Sequence, residues 1–448
     1  MTRVLVPSGA LGLGYDRAAL AAGVAAGPDL IAIDGGSTDS GPHYLGTATS
    51  KYSRASTLTE WRELMAARAE AGVPLVIGTA GTCGADAAVD WMLDITREIA
   101  AETGAHLRIA VLKSEQEGEA MARALENGRI RPLPGAPEIT GAGLRACSHI
   151  VALAGAEQIG AALETGADIV IAGRTTDTAI IAALPLLRGD HAGAAWHGAK
   201  VGECGALATT RPGSGVVLLE FDREGFTLTP MARGVAATPQ TVAAHMLYEN
   251  ADPYLLHEPG GVLDVRAARY RALDGRRTRV TGARWLPSAR YAVKLEGARP
   301  AGFQVASLAL IRDPRHVAGA RQWCDDVVAA CSADVRARLG EVDFCIELRR
   351  IGMDATLGAL EPGKVQPQEV GILAIVTAAT APLAQEIARM LNPYLLHHPL
   401  TPDEPMPTFA FPFSPPEMAR GELHEFCLHH VLDLSDPMQA FRLDVVET

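Results

Sequence analysis

Polar residues that could bind a metal ion or a hydroxylated substrate follow the second predicted strand of the chain. The strand ends at Asp34, and a Gly-Gly turn leads to Ser37, Thr38, Asp39 and, after a Gly-Pro corner, His43. Both carboxylates could face one ligand across this turn, and with the hydroxyls they form an oxygen-rich set suited to Mg²⁺ or Mn²⁺. The alternative is that these side chains only bond backbone amides and hold an irregular loop in place.

A second glycine-rich loop, GTAGTCGAD, precedes a predicted helix that begins near residue 85. Glycines let a ligand approach the backbone, and free amides at a helix start attract anions, so Thr79, Gly81 and Thr82 are candidates for binding a carboxylate or phosphate. The loop lacks the Lys-Ser/Thr ending of a nucleotide-binding P-loop. Its glycines could also serve only tight packing.

The segment AGRTTDTA follows the sixth predicted strand and carries two charged candidates. Arg174 could hold a carboxylate in a two-pronged hydrogen bond. Asp177 could orient that arginine, join a metal site or act in catalysis. The alternative is a local Arg–Asp pair at the start of the next helix.

Two later segments carry acid–base candidates, GECGALATT and YAVKLEGA. Glu203 could be a general acid or base, and Cys204 a nucleophile if a neighbouring cation lowers its pKa, although an isolated cysteine among small residues is more often a buried apolar group. Lys294 and Glu296 are two residues apart and share one face of a strand. They form either an acid–base couple or an ion pair. Lys113, at the end of the fourth predicted strand, is an isolated candidate.

These candidates must be positioned by alternating strands and helices in the first half of the chain. Short apolar runs predict strands near residues 4–6, 30–33, 75–77, 107–112, 149–153 and 168–172. Strands that alternate with helices favour an α/β fold with a parallel sheet, doubly wound or barrel-like, whose ligands bind at the carboxyl ends of the strands. The loop PSGALGLG lacks the third glycine of a dinucleotide fingerprint, so we expect no nicotinamide or flavin.

The second half has a different pattern, with strand-like runs and few helices between them. This pattern predicts an α+β half with a mainly antiparallel sheet. We place the boundary near Arg233, giving an α/β ligand-binding domain over 1–233 and an α+β domain over 234–448. The Pro-rich stretch 399–416 is expected to be a surface loop.

Charge and composition exclude several classes of protein. The net charge is −12 without a Lys/Arg-rich stripe, so neither nucleic acid nor an anionic membrane is an expected partner. No run of 18 apolar residues occurs. The seven cysteines are scattered without a CxxC pair, which favours a reducing cytoplasm and gives no sign of a zinc ribbon. The doublets 397–398 and 429–430 are adjacent histidines that point apart and are expected to be structural.

Several strings, taken in order, resemble the acyclic terpene utilisation AtuA family. They are IAIDGGSTDSGPHYLG, VIGTAGTCGAD, DIVIAGRTTDTAIIAALPL, WHGAKVGECGA, YAVKLEGA and FAFPFSP. Arg174, Asp177, Glu203, Cys204 and Gly205 match positions typical of that family. Longer members carry a C-terminal ferredoxin-like module with an SGDKG-type signature, which is not found here, so the chain resembles the short form. The resemblance implies a role in the degradation of branched terpenoid acids and their CoA thioesters.

The sequence therefore predicts an enzyme, most simply a hydro-lyase acting on a branched carboxylic acid or its CoA thioester. Arg174 would bind a carboxylate, Asp34 and Asp39 a divalent metal, and Glu203, Lys294 or Asp177 would move protons. The alternatives are a metal-dependent amide or thioester hydrolase and a non-catalytic subunit that binds an acyl ligand. We expect a homo-oligomer or a complex with a small separate subunit.

Overall fold

The computed structural model describes residues 1–363 and 367–448. Its strands are β1 Thr2–Val6, β2 Leu30–Asp34, β3 Leu75–Gly78, β4 Arg108–Lys113, β5 Ile130–Pro132, β6 His149–Ala152, β7 Ile169–Ala172, β8 Val217–Phe221, β9 Gly225–Pro230, β10 Leu255–Glu258, β11 Gly261–Asp264, β12 Arg269–Ala272, β13 Thr278–Thr281, β14 Arg284–Pro287, β15 Tyr291–Ile311, β16 Phe344–Ile351, β17 Val370–Ala378, β18 Met418–Phe426, β19 His430–Leu434 and β20 Arg442–Glu447.

The α-helices of the described residues fall mostly between these strands. They are α1 Arg17–Ala25, α2 Pro42–Thr47, α3 Arg54–Ala71, α4 Asp86–Thr103, α5 Gly118–Glu126, α6 Gly141–Arg145, α7 Ala156–Glu164, α8 Ala179–Leu187, α9 Ala192–Gly202, α10 Pro239–His245, α11 Pro314–Ala318, α12 Ala320–Leu339 and α13 Ala381–His397. Within the described residues, no helix is both long enough and apolar enough to cross a membrane.

The chain forms two compact units, one of Met1–Arg299 with Phe426–Thr448 and one of Pro300–Glu425. The predicted boundary near Arg233 falls inside the first unit. The reason is that the main sheet continues past this point, because β13 pairs with β9 and β12 pairs with β13.

The first unit is built on one sheet with the strand order β12-β13-β9-β8-β1-β2-β3-β7-β4-β20. Its central strands β1, β2, β3, β7 and β4 are parallel, as predicted for the first half of the chain. Residues of β2, β3 and β7 are fully buried because helices cover both faces of the sheet. Asp34 and the loop after Ala172 therefore lie at the same edge of the sheet.

The prediction that the fifth strand, 149–153, belongs to the parallel sheet is wrong; in the structure this strand is β6, His149–Ala152. It does not join the parallel sheet but pairs antiparallel with Leu295–Ala298 at the start of β15. Strands β4 and β7 bond directly to each other, which leaves no position for β6 between them. The preceding residues Tyr291–Leu295 of β15 pair with β19, so residues near the carboxyl end of the chain complete the first unit.

The second unit is the antiparallel α+β structure that the sequence pattern predicted. Residues Phe303–Ile311 of β15 pair with β17, and β17 pairs with β16. The alternate residues of β17 are buried, and helices α12 and α13 pack against this face in an apolar core that includes Trp323 and Leu391. The fold class is therefore confirmed as mixed α/β, with a largely parallel sheet first and antiparallel pairing later.

Candidate active site

The candidate site lies in the first unit, where the loops after β2 and β7 meet the start of β15. Arg174 is its centre and is 7% exposed. Its Nε donates to Oε2 of Glu296 at 2.9 Å, and its Nη1 donates to Oγ1 of Thr79 at 3.1 Å and to the carbonyl of Thr175 at 3.0 Å. Thr38 donates to the same Glu296 oxygen at 2.9 Å. Residues from four separated segments are thus fixed around one guanidinium.

Glu296 is the counter-ion of this arginine and is itself buried. It also accepts a hydrogen bond from Nζ of Lys294 at 3.0 Å. Burial alone would raise the pKa of Glu296, but the charges of Arg174 and Lys294 hold that pKa at about 2. Glu296 is therefore an anion throughout the physiological range, and the group Arg174–Glu296–Lys294 is a fixed charge network.

A cavity of about 560 Å³ opens beside this network. Six of the side chains that line it carry carboxyl groups and two carry permanent cations. The carboxyl side chains are Asp39, Asp177, Glu203, Glu249, Asp252 and Glu258, and the cations are Arg174 and Lys200. The volume is in the range of small-molecule sites.

Helix α9 and its C-terminal end place a second ion pair at the wall of this cavity. Lys200 and Glu203 are three residues apart on one helical face, and both are 7% exposed. Nζ of Lys200 donates to Oε1 of Glu203. Burial raises the pKa of Glu203, and Lys200 opposes that rise.

Other acids of the site also have raised pKa values. Burial raises the pKa of Glu258 to about 7, although hydrogen bonds from Thr178 and Thr176 work in the opposite direction. Burial and the charge of Asp177 raise the pKa of Asp34 well above its usual range. The acids around Arg174 and the cavity thus include groups with raised pKa values as well as Glu296, whose pKa is low, and such a spread is a feature of sites that move protons.

These features belong to a chain whose family can be assigned. The sequence model of the family described as acyclic terpene utilisation family protein AtuA matches residues 42–404. The chain belongs to the AtuA family. This confirms the resemblance drawn from the sequence motifs, and it connects the chain with acyclic terpene utilisation and so with small-molecule catabolism. No curated protein and no solved structure matches the chain.

The structure brings several of the predicted site residues of this AtuA-family chain together. Asp39, Arg174, Asp177 and Glu203 line the cavity. Thr38 and Thr79 bond to the Arg174 network instead. Asp177 Oδ1 lies 3.6 Å from Nη1 of Arg174, so the local Arg–Asp pair also exists.

The other predicted substrate-binding residues do not line the cavity. Ser37 Oγ accepts from the amide of Asp39 at 3.1 Å and caps a short turn of helix. Thr82 Oγ1 accepts from the amide of Lys51 at 3.0 Å. His43 lies in α2 with its ring against Tyr44.

The glycine-rich loop GTAGTCGAD packs against protein backbone. Thr79, Gly81 and Thr82 have φ values of 46°, 63° and 77°, which residues other than glycine rarely adopt. A Cβ added at Gly84 would lie 2.2 Å from the backbone nitrogen of Arg174. The close approach that the glycines permit is therefore made to the Arg174 loop, which supports the packing alternative for at least Gly84.

Three residues of the site were not singled out from the sequence, namely Lys200, His245 and Glu258. Lys200 lies within the quoted string WHGAKVGECGA, and its three-residue spacing from Glu203 would have indicated a pair had a helix been predicted there. Glu258 and His245 come from the half of the chain that was assigned to a different domain. Neither stands in a motif that would have marked it.

One group of three possible metal ligands occurs among the described residues. Ligand atoms of Glu203, Cys204 and His245 all lie within 4.8 Å of one another. Asp34 and Asp39 belong to no such group within residues 1–363 and 367–448, so a metal at those two residues stays a prediction. Burial raises the pKa of the Cys204 thiol, which does not favour the nucleophile alternative.

Proposed function

We propose that this AtuA-family chain is an enzyme of small-molecule catabolism, a hydro-lyase that acts on a branched acyl group. The observation that carries the proposal is the meeting of Asp177, Lys200 and Glu258 at one cavity of about 560 Å³. Removal of water next to a carbonyl requires a base for the proton on the α-carbon, a cation near the carbonyl oxygen and an acid for the departing hydroxyl. The cavity holds one group for each task.

The roles follow from the position of each group. Asp177 is half-buried and faces the cavity, so its carboxylate takes the α-proton. The ammonium of Lys200, oriented by its hydrogen bond to Glu203, stabilises charge on the carbonyl oxygen. Glu258 in its neutral form gives a proton to the hydroxyl group as the carbon–oxygen bond breaks, so that water leaves. Lys294 is bonded to Glu296 and does not line the cavity, which makes it a supporting residue.

The charge of the cavity bears on the choice between a free acid and a CoA thioester. Arg174, the residue predicted to bind a carboxylate, donates its hydrogen bonds to Glu296, Thr79 and Thr175. The lining contains six carboxyl groups against two cations, and five carboxyl groups remain when Glu258 is neutral, so a free carboxylate would be repelled. Only the uncharged acyl part of a thioester would enter the cavity, with the anionic phosphates of CoA outside it, and we therefore favour the CoA thioester as the substrate class.

A second candidate is a metal-dependent hydrolase of an amide or thioester. The group of Glu203, Cys204 and His245 supports it, because a metal at the cavity wall could activate water. A non-catalytic subunit that binds an acyl ligand is the third candidate. It would use the same cavity without proton transfer.

A substrate screen distinguishes these functions. Purified chain is incubated with branched β-hydroxyacyl-CoA and α,β-unsaturated acyl-CoA thioesters and with the corresponding free acids. Interconversion of the hydroxy and unsaturated thioesters supports the hydro-lyase, and release of free CoA thiol supports the hydrolase. Binding of a thioester without either reaction supports the non-catalytic subunit. Turnover of the free acids alone would contradict the preference for thioesters.

A further inference from the structure

The group of Glu203, Cys204 and His245 is assembled from two neighbouring parts of the first unit. Glu203 and Cys204 directly follow α9, and His245 is the last residue of α10. The ligand atoms all lie within 4.8 Å of one another, so side-chain shifts of about 1 Å or less give the roughly 3.3–3.8 Å spacing that tetrahedral metal–ligand bonds of 2.0–2.3 Å require. Glu203 also lines the cavity, so the group borders the proposed active site.

The imidazole of His245 gives an independent indication of a ligand. The residue is 4% exposed, and its Nε2 is buried without a hydrogen-bond partner among the described residues. A neutral imidazole with its proton on Nδ1 has a free lone pair on Nε2. A buried, unpaired nitrogen is unfavourable, and a bound metal ion would satisfy it.

The kinds of atom indicate which metal the group would bind. Sulfur, imidazole nitrogen and carboxylate oxygen together are typical of Zn²⁺, and three protein ligands leave a fourth position open as in catalytic zinc sites. Mg²⁺ and Mn²⁺ prefer oxygen ligands and are disfavoured by a thiolate. The metal thus differs from the one that the loop around Asp34 predicted.

Lys200 lies close to this group, and its hydrogen bond to Glu203 must be compatible with a metal ion bound there. Its ammonium bonds Oε1 of Glu203, which leaves Oε2 for a metal. Glu203 and Cys204 follow the same end of α9, so this helix end positions two of the three ligands.

We propose that Glu203, Cys204 and His245 hold a Zn²⁺ ion at the wall of the cavity. The ion would act as a Lewis acid near the bound acyl group, and this purpose rests on the proposed function. The binding itself does not, because it is measured without a substrate. Binding releases the thiol proton of Cys204, since Zn²⁺ deprotonates a coordinating thiol.

Metal binding is tested on the full chain after removal of metals with a chelator. Zn²⁺ is added in competition with a chromophoric chelator, and we expect one ion per chain. Co²⁺ is added separately, and a thiolate-to-cobalt charge-transfer band in the near ultraviolet is expected because Cys204 is a ligand. Absence of that band in the wild-type chain would overturn the proposal, and this result does not depend on any variant.

Variants identify the ligands. Cys204→Ser and His245→Gln are expected to weaken Zn²⁺ binding by roughly 100-fold, and Cys204→Ser should also abolish the charge-transfer band. Two matched variants should bind as the wild type does. They are His257→Gln, at a histidine that lines the cavity but lies outside the group, and Cys147→Ser, which removes one sulfur of a pair whose Sγ atoms are 3.1 Å apart.

The results of these experiments test the metal site separately from the proposed function. Equal binding by Cys204→Ser, His245→Gln and the wild type would refute the site. Loss of binding in Cys147→Ser alone would also refute it and move the thiolate ligand to Cys147. One Zn²⁺ per chain with no activity in the substrate screen would support the site and contradict the proposed function.

Discussion

Arg174 and Glu296 form a buried ion pair between residues 122 positions apart in the sequence. Nε of the arginine lies 2.9 Å from Oε2 of the glutamate, and Nη2 lies 3.4 Å from Oε1. Both side chains are less than a tenth exposed. The pair joins the loop after β7, whose Arg174 lines the cavity, to the start of β15.

We expect Glu296→Gln to lower the free energy of unfolding by about 3–5 kcal/mol. The substitution leaves the Arg174 guanidinium buried without its counter-ion, which is much more unfavourable than loss of an exposed pair. Lys294→Gln is the matched control, because the side chain of Lys294 is 37% exposed and its loss should cost about 1 kcal/mol or less. Urea unfolding of both variants measures the two losses of stability. Equal losses would contradict the assignment of Glu296 as the counter-ion of Arg174.

The pH dependence of the same pair has a definite sign. The pKa of Glu296 falls from 4.5 to about 2 on folding, so its contribution to stability is fully present above pH 4.5. That contribution is lost as the pH falls from 4.5 to 2. Wild-type and Glu296→Gln stabilities should therefore converge over this interval, as followed by urea unfolding at each pH.

Glu258 should have the opposite effect on stability. Its pKa rises from 4.5 to about 7 on folding, so the folded state is penalised as the pH increases from 4.5 to 7, by about 3 kcal/mol. The charged groups that influence its pKa are Lys200, which lowers it, and Asp177, which raises it. Glu258→Gln should remove this dependence, so that the variant gains stability relative to the wild type as the pH rises.

The comparison is made by thermal unfolding at pH 5 and pH 8. Glu249→Gln is the control, because Glu249 lines the same cavity but is exposed. It should follow the wild type at both pH values. A Glu258→Gln variant that also follows the wild type would show that this acid titrates normally.

Much of the first unit could be predicted because its strands are short apolar runs with acidic or small residues at their ends. Strands β2, β3 and β7 appear where the sequence places them. The position of β6 could not be predicted, since HIVA is as apolar as a parallel strand and only its partner Leu295–Ala298 decides its sheet. Such pairing depends on residues about 145 positions away, which local periodicity does not report.

Only part of the site could be predicted, because local sequence motifs do not report which distant residues come together. Asp39, Arg174, Asp177 and Glu203 stand in compact motifs and reach the cavity. Glu258 and His245 contribute from beyond residue 233, where the sequence pattern suggested a separate domain. The ion pair between Arg174 and Glu296 could not be predicted either, because Glu296 lies on a strand that begins more than a hundred residues later.

Asp177→Asn tests the proposed base. An amide cannot accept the α-proton, so we expect kcat for the thioester reaction to fall by roughly 100-fold or more while the KM changes little. Asp252→Asn is the control, because Asp252 lines the cavity at an exposed position and has no proposed role. Steady-state kinetics with the thioester found in the screen checks both. Retention of kcat in Asp177→Asn would assign proton transfer to another acid of the cavity.

Association with another chain is the last prediction, and it concerns the segment next to the cavity. Leu247 and Tyr254 are 70% and 57% exposed, on either side of the cavity-lining residues Glu249 to Asp252. Exposed apolar side chains beside a site are commonly covered by a partner or a second copy.

We expect light scattering to give a mass above 47.1 kDa at micromolar concentrations, and Leu247→Asp to lower it. Leu360→Asp, at an 81% exposed leucine of the second unit, is the control and should leave the mass unchanged. A mass of 47.1 kDa for the wild type would contradict self-association, and purification from the native host would then show whether a small separate subunit accompanies the chain.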